Sequence, residues 1–403
     1  MTRTLEDAVR RVVVNGNCTG CGGCTLVSSR IEMQLDAAGY MRPSFTAVAS
    51  DPGTDREERA LFDATCPGKR VRAPELPGGT AHAVFGRHVS VWKAWATDEN
   101  VRESGSSGGV LTALAGWLVE TGQTKSVIGS SPGGGPTRSV PIQIVSKDQA
   151  LRAAGSRYAP VSNIPLLAAG AADTALIGKP CEATAARQYF DATGASQANH
   201  PILLSFFCAG TPSQQATDTL VEELGFTTEG VTALRYRGNG WPGTFAVHSE
   251  SDVRELSYDE SWGQHLGRRL QWRCKLCVDG TGGHADIAVG DYWRCDERGY
   301  PVFDDADGVS VAIARTRRGH ELLLDAERRG ILHLEEIAID SVVPVQPLQV
   351  GRKLTLAGRL LGRLAGGRRV PRYTGYGLLA LAARTPVAAL RSAAGTFVRT
   401  ISG

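Results

Sequence analysis

The chain has 403 residues, 42% of them hydrophobic, which is room for two or three compact units with real cores. Its net charge of +3 is unevenly spread: no Asp or Glu follows Asp340 while ten basic residues do, so residues 1–340 carry a net −7. The start MTRTLEDAVRR lacks the apolar centre of a signal peptide, and no run reaches the ~18–20 apolar residues of a membrane span, so a cytoplasmic protein without a nucleic-acid partner is expected.

The first 80 residues are cysteine-rich and irregular, with a hairpin pattern in IEMQLDAAGYMRPSF turning near Ala38-Gly39. APELPGGT at 73–80 is the connector to the next unit. Val89–Ala96 reads as a strand. Gly108–Glu120 reads as a helix with Val110, Leu111, Leu114, Trp117 and Leu118 at helical spacing and Gly122 as its stop. GSSPGGGP at 129–136 reads as a flexible insert. Ala175–Gly178 and Ile202–Phe207 are strands and 182–192 a helix; 211–225 is a helix with Thr211 as N-cap, Pro212 at N1 and Gln214 at N3. This β-α-β-α order predicts an α/β core over 81–345 with a mainly parallel sheet. The literal G-x-G-x-x-G match at Gly238–Gly243, GNGWPG, opens no helix, because Pro242 and the strand-like TFAVHSE follow it; the core is not a Rossmann fold. Residues 346–403 form a basic helical tail broken by Pro371 and Pro386. Its leucines at 354, 356, 360, 361 and 364, set among Arg359 and Arg363, suit anionic lipid headgroups, and equally suit packing on the body or on a second subunit.

Nine cysteines in a reducing compartment read as metal ligands rather than disulfides. Cys18-x2-Cys21-x2-Cys24 places three thiolates to wrap one face of a cubane cluster, and a remote Cys-Pro supplies the fourth ligand. Ser28 stands where a two-cluster ferredoxin would continue, and Cys66-Pro67 is the only other Cys-Pro, so Cys66 is the expected fourth ligand. A zinc knuckle would pair cysteines differently or add His, and no His occurs in the first 80 residues. Cys181 and Cys208 each follow a predicted strand. If those strands are parallel neighbours, both thiols lie on one carboxyl edge, and Cys274-x2-Cys277 completes a second set of four. Cys295 is left over as structural.

The run Arg102-Glu-Ser-Gly-Ser106-Ser107-Gly108-Gly109 leads into the 110–120 helix. Glycines, hydroxyls and a helix N-terminus together form a candidate phosphate cradle. A flavin there would pair the single electrons that clusters carry. Arg102, Arg157, Lys179, Arg235 and Arg237 are candidates for attracting an anionic coenzyme.

The ordered segments CTGCGGC, RESGSSGGVLTAL, GSRYAP, IGKPCEA, FFCAGTPS, YRGNGWPG and CKLCVDGTGGHADIAVGDYW resemble the coenzyme F420 hydrogenase/dehydrogenase beta-subunit family over roughly three quarters of the chain. That family includes plant hydroxymethyl-chlorophyll reductase. The resemblance implies FAD bound without a Rossmann fold, with Ser106, Ser107, Gly108 and Gly109 touching it and Arg157 and Tyr158 helping. It also implies [4Fe-4S] ligands at Cys181, Cys208, Cys274 and Cys277, and marks Asp291 as a landmark. Members with two complete ferredoxin repeats differ from this chain, whose N-terminal motif ligates one cluster. The function expected is an FAD-dependent iron–sulfur oxidoreductase moving electrons between a ferredoxin or coenzyme F420 and an organic substrate. The alternative is a non-catalytic electron-relay subunit of a larger complex.

Overall fold

The computed structural model describes residues 4–48, 51–75, 78–167, 171–196, 199–292 and 307–402. Cys295 and the end of the 274–293 segment lie outside these residues.

The core is one eight-stranded sheet. Its strands are β1 (Ser90–Ala96), β2 (Ser126–Pro132), β3 (Ser139–Ile144), β4 (Thr174–Gly178), β5 (Ile202–Phe206), β6 (Ile287–Asp291), β7 (Ser310–Ala314) and β8 (Leu332–Glu336). They lie in the order β8-β1-β7-β6-β5-β4-β2-β3. β2, β4, β5 and β6 are parallel, which is the expected centre, while β3 on one side and β7, β1 and β8 on the other pair antiparallel. The sheet is thus parallel at its middle and mixed overall. TALIG and ILLSF are short apolar runs because both faces of a central parallel strand are covered. Successive residues serve opposite faces: Val127, Ala175 and Leu204 pack in one cluster, and Ile128, Leu176 and Leu203 in another.

The helices needed to follow the site are α1 (Leu5–Val14), α2 (Pro52–Thr65), α3 (Val110–Glu120), α4 (Pro180–Ala192), α5 (Gln214–Glu223), α6 (Arg317–Arg328), α7 (Pro347–Ala365) and α8 (Pro386–Ile401). Two boundaries differ from the sequence reading. The supposed insert at 129–136 is largely strand: β2 continues through Pro132 and pairs with β3 as far as Pro132↔Ser139, leaving only the turn between them. Past Ile128 this strand pairs on one side only, with β3, and such a position tolerates the proline and the serines, so the glycines marked a hairpin and not a loop. At α5 the N-cap is Ser213, whose hydroxyl accepts from Ala216 N at 3.1 Å, while Pro212 bridges to Leu270. Thr211 and Ser213 are both cap residues by type, and the bridge to 270 selects the later one.

The N-terminal segment is bonded to the core along its length. Ser162 Oγ donates to Gly20 O at 2.7 Å, Gln271 Nε2 to Thr19 O at 2.9 Å, and Tyr40 OH to Arg269 O at 2.8 Å. The tail returns to this segment as well, with strand Arg372–Thr374 parallel to Arg70–Arg72.

Asp286 ties four elements together. Its carboxylate accepts from Leu203 N on β5, from Arg187 on α4, and from Thr316 and Arg318 at the start of α6. Burial by itself would raise its pKa, but Arg187 and Arg318 outweigh it and hold the carboxyl below the usual range. A depressed carboxyl contributes stability that is complete above its unfolded pKa, and that is lost as pH falls through the folded one. Asp286→Asn should therefore lower stability by about 3–5 kcal/mol near pH 7, because two guanidinium groups lose their counter-charge. The gap between this variant and the unmutated protein should narrow below about pH 4. Denaturant unfolding as a function of pH checks both.

Candidate functional site

The loop after α1 carries Cys18, Cys21 and Cys24. Gly20 (φ 67) and Gly22 (φ 81) let the backbone coil round the thiols, and Gly20 N and Gly23 N donate to the Cys18 and Cys21 sulfurs at 3.4 Å each. Cys66 enters from the C-cap of α2. The four thiols, with apolar residues such as Val9, Val12 and Phe62, line one small cavity. Burial pushes the Cys21 thiol up to about 11 and the other three upward as well. At Cys24 the next causes are Cys21, Cys18 and Cys66, which makes the four one another's electrostatic neighbours. Among the described residues, no three His, Cys, Asp or Glu side chains gather round a single-ion position. The thiols ring a cavity instead.

Cys181 and Cys208 reach one edge of the sheet, as the sequence predicts: β4 and β5 are parallel neighbours with Gly178 opposite Ser205. Cys181 lies in the first turn of α4 and not in the loop before it, because Lys179-Pro180 opens the helix. Cys274, in the short helix Trp272–Lys275, accepts from Thr211 N at 3.3 Å. The Cys277 thiol donates to Asp279 O at 3.1 Å. Burial, followed by Cys274 and Cys277, pushes Cys208 up to about 12. Cys181 is also raised by burial, and feels both Cys21 and Cys208. Cys181 packs against the cluster that contains Cys21, so the two sets adjoin.

Three features of this region had no local signal in the sequence. The first is the buried pair Lys179–Glu182 at 2.9 Å. Lys179 Nζ also donates to Val161 O at 2.6 Å, and Glu182 accepts from Asn163 N and Lys179 N at 2.8 Å each. Burial opposes the Lys179 charge, but Glu182, Cys181 and Cys208 sustain it. The second is α7, whose side chains cover the second set. Arg352 donates to Cys208 O at 3.0 Å and to Ala209 O, Gln349 to Cys208 O at 3.2 Å, and Lys353 to Val278 O at 2.7 Å. The third is Arg237. It is buried between Trp241 and Tyr258, donates to Asp291 Oδ2 at 2.7 Å, and keeps its charge because Asp291 outweighs the cost of burial. Asp291, the landmark residue, is thus the partner of a buried cation.

The candidate flavin residues also come together. Loop 105–109, which follows β1 and a short helix, meets segment 155–158 and loop 235–243: Ser156 N donates to Ser106 Oγ, and a Cβ at Gly238 would stand 3.2 Å from Ser104 O. Ser107 Oγ donates to Val309 O at 2.9 Å, and Gly108 N to Ser310 Oγ at 3.0 Å. A Cβ at Gly108 would meet Ala94 O, and one at Gly109, whose φ is +71, would meet Val101 O. These positions thus pin the loop to the sheet. Of the five basic candidates, Arg102 is bound to Gly308 O and Asp307, Lys179 and Arg237 are ion-paired, and Arg235 donates to the Asn239 amide oxygen. Arg157 differs, since its buried Nε has no partner among the described residues and burial lowers its pKa. Tyr158 packs against Tyr236 and Trp262.

Two family models match the chain: the N-terminal part of the coenzyme F420 hydrogenase/dehydrogenase beta subunit over residues 91–168, and its C-terminal part over 172–340. The chain belongs to this family. Its matched stretch holds the second thiol set and the three converging loops, while the first set and the tail lie outside. Among relatives of the F420 hydrogenase/dehydrogenase beta-subunit type, the coenzyme F420 hydrogenase subunit beta of Methanothermobacter thermautotrophicus is 24% identical, over 63% of this chain and 86% of that protein. The same subunit of Methanococcus voltae is 25% identical over 71% and 99%. The coenzyme F420-dependent sulfite reductase of Methanocaldococcus jannaschii is 23% identical over 82% of this chain and 49% of its own. A chain of the F420-reducing [NiFe] hydrogenase complex of Methanosarcina barkeri shares the fold, with a TM-score of 0.51 at 21% identity over 68% of this chain and 96% of that one. The family's named relatives are redox proteins, and an electron-transfer role follows for this member.

Glu182→Gln should cost about 3–5 kcal/mol, because it strands the Lys179 ammonium in the interior. The double replacement Lys179→Met with Glu182→Leu should recover only part of that loss, because Val161 O and the N–H groups of Asn163 and Lys179 then lose their partners. Chemical denaturation of the three proteins measures it.

Proposed function

We propose that the protein is an iron–sulfur flavoprotein oxidoreductase that exchanges electrons between a ferredoxin or coenzyme F420 and an organic substrate. The observation that carries this reading is the gathering of eight free cysteines, Cys21 buried and the other seven half-buried, into two neighbouring sets. Thiolates are disfavoured in such places unless a cationic group is bound among them. The donor set is all sulfur, four and four, which fits [4Fe-4S] clusters: Cys18, Cys21, Cys24 and Cys66 would hold one, and Cys181, Cys208, Cys274 and Cys277 the other. These clusters supply one-electron exchange, and FAD supplies the pairing of electrons for hydride chemistry.

The remaining roles belong to the chain. Gly20 N and Gly23 N stabilise sulfur charge in the first set. Lys179 holds positive charge near Cys181 and Cys208, and α7 excludes water from the second set. Toward a flavin, the pinned 106–109 loop and Tyr158 would shape the crevice, and Arg157 offers a buried donor for a phosphate oxygen. A nicotinamide partner is not proposed, since GNGWPG precedes the strand Phe245–His248 and no dinucleotide fingerprint opens a helix. The relatives named for coenzyme F420 support that coenzyme as the soluble partner.

Anaerobically purified protein should hold about eight irons per chain, and Cys66→Ala and Cys277→Ala should each remove about half. A total near four in the unmutated protein would contradict two clusters. Arg157→Gln should lose FAD on gel filtration while retaining its iron. In stopped-flow absorbance, reduced ferredoxin or reduced F420 should bleach the flavin band; bleaching by NADPH alone, with both others inert, would overturn the choice of partner.

A further inference from the structure

The tail uses its basic residues in two ways. Arg352, Lys353, Arg359 and Arg363 point inward and donate to backbone carbonyls of the body. Arg384 and Arg391 are exposed near and on α8. No Asp or Glu occurs after Asp340, so the tail itself carries only positive charge.

Helix α8 has two apolar faces, and only one is covered. The first is made of small residues: Gly358, Gly362 and Gly366 of α7 lie against Ala389, Ala393 and Thr400 of α8, so that any Cβ on those glycines would strike the partner helix. The two helices therefore run parallel and in close backbone contact. The second face carries Val387, Leu390, Phe397, Val398 and Ile401, which fall within one arc of about 100° at the helical step and are all exposed, with Leu390 68% accessible. It lies more than a quarter-turn from the Ala389–Thr400 face by the 100° step of a helix. Leu361 of α7, 59% accessible, is turned away from Leu356 and Arg363, which face the body. Leu379, in the preceding helix Leu378–Arg384, is 83% accessible. Among the described residues, no helix is long and apolar enough to cross a bilayer.

A helix with an uncovered apolar stripe and flanking arginines, in a tail that carries no acidic residue of its own, matches an anionic lipid surface. The apolar side chains enter the acyl boundary while the guanidinium groups meet headgroup phosphates. A protein partner would need acidic residues opposite Arg384 and Arg391, whereas a bilayer supplies negative charge wherever the arginines fall. We propose that the outer face of α8, with Leu379, docks this protein on the surface of an anionic membrane. The inward-facing half of the tail closes over the second thiol set, so removing the tail would test both halves at once. Point changes on the outer face separate them.

The test is co-sedimentation of the full-length, anaerobically prepared protein with vesicles of phosphatidylcholine alone, or of phosphatidylcholine with one quarter phosphatidylglycerol. Binding to the anionic vesicles is expected, falling roughly thirtyfold on neutral ones, the size that loss of two arginine contacts implies, and at least fivefold in 0.5 M salt through screening. Leu390→Ser with Val398→Ser should reduce binding at least tenfold, and Arg384→Gln with Arg391→Gln should abolish the preference for anionic lipid. Iron content and unfolding midpoint should remain unchanged in both. Equal sedimentation with and without phosphatidylglycerol would overturn the proposal. So would a concentration-dependent dimer in light scattering that the Leu390→Ser, Val398→Ser protein no longer forms, because the face would then be a contact between two copies of this chain.

Discussion

A thiol taken out of water resists ionisation, and several thiols gathered together resist it further. The fold gathers eight cysteines in two adjoining places, and burial raises the thiol pKa of Cys18, Cys21, Cys24, Cys66, Cys181 and Cys208. Much of the surrounding chemistry answers to that constraint. Backbone N–H groups of Gly20 and Gly23 point at sulfur, and Thr211 N points at Cys274. A buried lysine is kept charged beside Cys181 and Cys208, and its counter-ion Glu182 is held in turn by two backbone donors. Helix α7 supplies donors to the carbonyls that the Cys208 turn leaves unpaired. An unsatisfied buried carbonyl costs about 1–3 kcal/mol, so Arg352 and Gln349 belong to the second site as much as to the tail.

The sheet explains why the two sets meet. Parallel strands β4 and β5 both end at the same edge, and the turns beyond them carry Cys181 and Cys208. Such an edge is where open α/β sheets place ligands. β6 ends there too, at Asp291, which anchors Arg237 and through it the 235–243 loop. The N-terminal segment docks through Thr19 and Gly20 against Gln271 and Ser162, and this contact brings Cys21 toward Cys181. Electron carriers at the two sets would be neighbours for that reason.

Local pattern made much of this legible. The Cys18–Cys24 spacing, the Cys66-Pro67 step, the apolar runs of β4 and β5 and the hairpin at 31–45 each depend on residues close in sequence, and each is where it was expected. The failures have a common cause. Whether Ser130-Ser131-Pro132 forms a loop or an edge strand depends on β3, and whether Thr211 or Ser213 caps α5 depends on Leu270. Lys179 and Arg237 read as candidates for attracting an anionic coenzyme until Glu182 and Asp291 are placed beside them. The serines and glycines of 106–109 suit a phosphate cradle by type, yet Ser310 and Val309, some two hundred residues away, engage two of them.

The central claim is that the eight thiols form two neighbouring four-iron sites. Electron paramagnetic resonance of the dithionite-reduced, anaerobically reconstituted protein tests it most directly. Two reduced clusters held this close should give a spectrum broadened and split by their mutual magnetic interaction, integrating to about two spins per chain, with Cys66→Ala collapsing it to one unsplit signal of about one spin. An unsplit signal of about one spin in the unmutated protein, or two signals that do not interact, would contradict the account.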